Sequence, residues 1–131
     1  MDKKLQQDLF LKYPRIFKNL SQAHEGLPHD IAIKNGWYHI LDALCGAVSR
    51  YVENMNQRIG ITQFNIVAIR IKERYAGLVF DYEGIGDQYV DGMIRMAEFM
   101  SRQTCEVCGA PGEVREGDWL CIRCDQHKFD G

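Results

Sequence analysis

Two Cys-x2-Cys pairs, Cys105 with Cys108 and Cys121 with Cys124, stand twelve residues apart near the end of the chain. Two intervening residues let both sulfurs of a pair reach one ion around a tight turn. Twelve residues are enough for a small hairpin that brings the second pair back to the first. Gly109 follows the first pair, where such a turn often needs a left-handed backbone, and amide groups there can donate to the thiolates. Pro111-Gly112 and Glu116-Gly117 supply turn chemistry, and Trp119 is expected to roof the small core of the module. Four thiolates close a tetrahedral shell, whereas catalytic zinc usually keeps one position for water. The spacing therefore predicts one structural Zn2+ held by Cys105, Cys108, Cys121 and Cys124. A redox dithiol or an iron site would share the spacing. His127, close to Cys124, is a candidate to replace it as fourth ligand.

The rest of the composition fits that reading. The chain has 131 residues, 46% of them hydrophobic, which is enough for one core with a small appended module. The expected division is an α+β body over residues 1–102 and a zinc-binding module over 103–131 packed on it. No apolar run approaches the ~18 residues of a membrane span. The opening Met-Asp-Lys-Lys-Leu-Gln-Gln-Asp has no apolar stretch of the kind a secretory signal carries. A cytoplasmic setting, reducing enough to keep thiols free for metal, is the expectation.

Within the body, residues 2–13 read as a helix with Leu5, Leu9 and Phe10 on one side, ended by Pro14. Ile16, Phe17 and Leu20 suggest a turn tucked into the core. Residues 21–36 read as an irregular connection, with Ile31-Ala32-Ile33 a weak strand candidate. The clearest helix spans about 37–55, where Trp37, Ile40, Leu41, Leu44, Val48, Tyr51, Val52 and Met55 form one stripe. Gly46 is expected to admit a neighbouring element, and Cys45 is expected to be a buried small hydrophobe. The period then changes to two. Val67, Ile69 and Ile71 alternate with Ala68, Arg70 and Lys72, and Leu78, Phe80 and Tyr82 follow a turn at Ala76-Gly77. These two runs predict an antiparallel hairpin. Glu83-Gly84-Ile85-Gly86 reads as a turn, and Asp87 as the N-cap of a helix to about Met100, with Val90, Met93, Ile94, Ala97 and Met100 inward. The fold class is α+β: helices packed on a small antiparallel sheet, with a C-terminal zinc ribbon or treble-clef-like module.

Charge bears on partners. Residues 104–131 carry six acids against three cations, and four thiolates on one divalent ion bring the loaded module to about −5. Such a module repels phosphate, so a surface for another protein fits better than a DNA-reading finger. Arg70, Lys72 and Arg74 line the polar face of a strand, with Arg58 upstream, and form the candidate contact for a nucleic acid or an acidic partner. His24-Glu25-Gly26-Leu27-Pro28-His29 lacks the spacing and helical continuity of a zinc-protease motif. Gly84-Ile85-Gly86 sits among Asp81, Glu83 and Asp87 and reads as a turn, with neither phosphate-loop nor calcium-loop spacing. No nucleophile–base pair has recognisable spacing, so no catalytic residue is assigned.

The runs Gly36-Trp37-Tyr38-x-x-Leu41-Asp42-x-Leu44-Cys45, Arg70-Ile71-Lys72-Glu73-Arg74-Tyr75-Ala76-Gly77-Leu78, Asp91-Gly92 and Cys105-Glu106-Val107-Cys108-Gly109-Ala110-Pro111-Gly112 resemble a group of small, mostly uncharacterised bacteriophage and prophage proteins. The resemblance covers most of residues 10–127. It implies a phage context and a C-terminal cysteine zinc knuckle whose last ligand is Cys or His, and it implies no activity. The expected function is a non-enzymatic accessory protein that binds and modulates a host protein in the bacterial cytoplasm, such as a defence-system or anti-CRISPR inhibitor. The alternative is a nucleic-acid-binding regulator using Arg58, Arg70, Lys72 and Arg74.

Overall fold

A computed structural model describes residues 1–22, 30–60 and 63–129 of the chain. The fold is α+β, as the two hydrophobic periods predict. In chain order the elements are α1 (Lys3–Lys12), a 3-10 turn (Asn35–Trp37), α2 (Tyr38–Ile59), β1 (Asn65–Arg74), β2 (Gly77–Ile85), α3 (Gln88–Ser101), β3 (Glu113–Arg115) and β4 (Cys121–Arg123). The sheets are two separate antiparallel hairpins, β1 with β2 and β3 with β4. The segment around His24 and His29 lies outside the described residues. No described helix is long and apolar enough to cross a membrane.

Helix α2 buries the expected stripe: Ile40, Leu41, Leu44 and Val48 join Trp37 in the core, and Cys45 is buried among them. Tyr51, Val52 and Met55 are only half-buried, because the helix runs past the end of the core. It stops at Gly60, whose left-handed φ of 74° suits a residue without Cβ. Gly46 does admit a neighbour: a Cβ there would lie 3.2 Å from the Tyr13 hydroxyl, which donates to the Asp42 carboxylate at 2.6 Å. Leu9, Ile16, Phe17 and Leu20 close the core from the N-terminal side. Ile31-Ala32-Ile33 contributes one parallel bridge, Ala32 to Lys72, and no full strand.

The β1–β2 hairpin departs from simple alternation. A bulge between Ala68 and Arg70 inserts Ile69, so Ile66 and Ala68 face the core before it and Ile71 faces the core after it. One extra residue shifts every later side chain to the other face. This explains why Ile69, expected inside, is half-buried. The hairpin loop is Tyr75-Ala76, not Ala76-Gly77. Both residues have positive φ, 50° and 63°, as a type I′ turn requires. The Ala76 N–H donates to Glu73 Oε1 at 2.7 Å, and the Arg102 guanidinium donates to the Tyr75 carbonyl at 2.9 Å. Strand β2 also continues through Glu83 and Gly84, which the sequence reads as a turn. Gly84, at φ 109°, lies so close to the Asn65 carbonyl that no Cβ fits.

Asp87 caps α3 as expected, accepting from the N–H groups of Tyr89 and Val90. Val90 and Ala97 are buried, and Met93 and Ile94 pack at the core edge. Met100, expected inward, is 48% exposed, together with Tyr89, Met96 and Phe99.

Candidate metal centre

The C-terminal segment is fastened to the body largely through main-chain atoms. The Gly36 N–H donates to the Glu106 carbonyl at 2.8 Å, and Trp37 Nε1 donates to the Thr104 carbonyl at 2.9 Å. Gly36 has to be glycine here: a Cβ would stand 2.2 Å from the Cys105 carbonyl oxygen. Ile122 of β4 is fully buried and belongs to the main core. The role expected of Trp119 therefore falls to Ile122, because Trp119 is 78% exposed.

The first cysteine pair folds as its spacing requires. The Gly109 N–H returns to the Cys105 carbonyl at 2.9 Å, the Cys105 N–H donates to the Ala110 carbonyl at 2.7 Å, and Gly109 takes φ 83°. A second turn lies at the end of the segment, where the His127 N–H donates to the Cys124 carbonyl at 3.1 Å. These two turns bring Cys105, Cys108, Cys124 and His127 together, with one ligand atom from each inside 4.8 Å of all the others. Cys108 Sγ and Cys124 Sγ are 3.8 Å apart, too far for a disulfide. His127 Nδ1 lies 3.2 Å from Cys124 Sγ and 3.9 Å from Cys105 Sγ. Bonds of about 2.3 Å to sulfur and 2.0 Å to nitrogen give tetrahedral edges of roughly 3.5–3.8 Å. The group thus has the dimensions to hold a single metal ion.

Three of the four expected ligands are in this group, and the fourth member is His127 instead of Cys121. The reason is local. Residues 121–123 are extended in β4, with Cys121 opposite Arg115, Ile122 opposite Val114 and Arg123 opposite Glu113. Three strand residues advance about 10 Å, so a strand cannot fold Cys121 back beside Cys124. The Cys124-x2-His127 segment is a turn and can. His127 joins Cys124, which stays in the group as the sequence expects, whereas the sequence offers His127 only as a candidate to replace it. The signal was present: Cys124 and His127 have the same spacing as the first pair.

The surroundings favour the thiolate at Cys105 and Cys124. Burial pushes the Cys105 thiol up, but main-chain groups of Cys124, Cys108 and Val107 outweigh it and leave the thiol lowered to about 6. Cys124 is also lowered: burial opposes this, and the His127 ring and main chain prevail. Cys108 is raised, because burial and its two sulfur neighbours outweigh the Ala110 main chain. A cation at the centre would relieve that crowding of sulfurs.

Arg123 braces the centre from inside. Its guanidinium donates twice to Glu106 Oε1, at 3.0 and 2.8 Å, and once to the His127 carbonyl at 3.3 Å. Both side chains of this ion pair are buried. Arg115 bonds the Arg123 carbonyl and the carboxylates of Glu113 and Asp125. Both arginines of the module are thus engaged within it.

The basic strand residues are placed differently. Arg70 pairs with Asp81 at 3.8 Å, Arg74 lies over the Tyr75 ring, Lys72 is half-buried, and Arg58 is exposed in the last turn of α2. Comparison of the chain with protein-family models, with curated proteins and with solved structures gives no match.

Proposed function

We propose that this chain is a non-enzymatic phage accessory protein in which one structural Zn2+ shapes a surface for a host protein. The Cys105–Cys108–Cys124–His127 group carries the reading. Three thiolates and one imidazole suit zinc, and four protein donors complete its shell with no position for a reacting water. The ion is structural, and the protein does no chemistry at it. The setting is the reducing cytoplasm of a bacterial host, and a defence component such as a CRISPR effector is the partner class that the phage resemblance favours.

The surface of the module supports a protein partner. Trp119, Leu120 and Val114 are exposed beside Glu113, Glu116 and Asp118. Tryptophan is enriched among residues that dominate protein interfaces, and the acids select a basic partner and repel phosphate. A nucleic-acid regulator using Arg58, Arg70, Lys72 and Arg74 ranks second, favoured by the exposure of Arg58, Arg70 and Arg74 and weakened by the engagement of Arg70 with Asp81.

The test combines metal spectroscopy with affinity capture. Cobalt(II) in the purified chain should give the spectrum of a tetrahedral three-sulfur, one-nitrogen site. Zinc-loaded protein should retain a host protein whose binding, repeated with purified components, is lost in Trp119→Ala. A cobalt spectrum showing bound, exchangeable water would overturn the structural role. Tight DNA binding that weakens steeply with salt, with no protein retained, would favour the second reading.

A further inference from the structure

Helix α3 turns its charges toward the sheet and its large apolar side chains toward solvent. Asp91 accepts from the Tyr82 hydroxyl at 2.7 Å, Glu98 pairs with Arg102 at 3.2 Å, and Arg102 reaches the hairpin loop. The outward face carries Tyr89, Met96, Phe99 and Met100, exposed by 61, 63, 63 and 48%. A solvent-facing helix surface normally carries the polar residues, so this face is built to be covered.

The spacing on that face identifies what covers it. Positions 89, 92, 96 and 99 of α3 alternate steps of three and four, the seam along which one helix packs on another. Gly92 lies in the middle of the seam, and a Cβ built on it meets nothing within 4 Å. A hole therefore stands beside three large knobs on the same helix. We propose that the chain forms a two-fold dimer in which α3 packs antiparallel on α3 of a second copy. With Met96 at the two-fold axis, the position opposite Gly92 is Met100 of the other copy, flanked by Phe99. Gly92 of each copy then faces Met100 of the other, which is the self-complementarity that a two-fold interface needs.

The area is sufficient. Four side chains of this size, with about half or more of each in solvent, present roughly 500 Å². Two such faces together remove about 1,000 Å², the lower bound for a specific interface. The dimer rests on α3 alone and stands or falls separately from the metal reading.

Light scattering on the zinc-loaded full chain at micromolar concentration tests it. The wild type should have twice the 15.1 kDa of one chain. Met96→Glu and Phe99→Glu should weaken association by roughly 30-fold or more with circular dichroism unchanged. Gly92→Leu, at a position where an added Cβ meets nothing within 4 Å in a single copy, should also separate the copies and should not reduce helix content. Trp119→Glu should leave the dimer intact. A monomeric wild type would overturn the proposal and leave this face to a different protein. So would a dimer that survives Met96→Glu and Gly92→Leu, or one that Trp119→Glu dissolves.

Discussion

The indole Nε1 of Trp37 donates to the main-chain carbonyl of Thr104 at 2.9 Å, so the entrance of α2 is tied to the residue before the first cysteine. One residue earlier, the Gly36 main chain lies directly against that of Cys105 and Glu106. Gly36→Ala therefore forces two backbones apart, with no flexible side chain to yield. It should lower stability by about 1–3 kcal/mol in urea unfolding while the purified protein keeps its metal. An unchanged unfolding midpoint would mean that this contact does not hold the module to the body.

Metal content should follow the geometry of the group and not the count of cysteines. Cys108→Ser, Cys124→Ser and His127→Ala should each weaken zinc binding by about 100-fold or more, and Cys121→Ser should retain one equivalent. Native mass spectrometry after graded chelation distinguishes these cases. Loss of zinc from Cys121→Ser with retention in His127→Ala would restore the four-cysteine set.

Glu106 and Arg123 form a buried pair, and Glu106→Ala removes the carboxylate that accepts two hydrogen bonds from the guanidinium. The expected loss is about 3 kcal/mol, larger than for an exposed pair such as Arg70 with Asp81. Because Arg123 also holds the His127 carbonyl, zinc affinity should fall in the same variant. Thermal unfolding and metal titration read the two effects separately.

Alkaline pH should destabilise the body through its tyrosines. A hydrogen bond to Asp87 pushes the Tyr51 hydroxyl up to about 12, and burial followed by a hydrogen bond to Asp91 does the same for Tyr82. Both groups release their protons more readily in the unfolded chain, near 10. Their contribution is fully present below pH 10 and is lost as pH rises from 10 to 12. Denaturant unfolding at successive pH values should show stability falling over that range, and Tyr82→Phe should make the profile less steep.

The hairpin loop holds two residues other than glycine at positive φ. Tyr75→Asn places a side chain that tolerates this conformation at an exposed position, and it should raise stability by about 0.5–1 kcal/mol. Equal or lower stability in denaturant unfolding would show that stacking of Arg74 on the Tyr75 ring matters more than the backbone.

The long α2 stripe, the Asp87 cap and both strands of the first hairpin were legible in the sequence, because each shows a strong period or a specific end signal. The alternation puts Ile69 inside because a bulge leaves no mark in residue type, and Glu83-Gly84 carries turn composition although Gly84 serves a close backbone approach. The outward face of α3 was half legible: apolar residues surround that helix, and only tertiary packing selects which of them are covered. At the metal group, residue type favours Cys121 over His127. Conformation instead brings His127 into the group, because Ile122 is buried in the core and its neighbours are extended.

Thr104 and Glu106 of the cysteine segment are held by their main-chain carbonyls, which accept from the Trp37 indole and the Gly36 N–H, and a carbonyl is common to every amino acid. The outer residues of that segment can therefore be exchanged without loosening its seat. Descendants of this chain can change the tip of the module while the platform beneath stays the same.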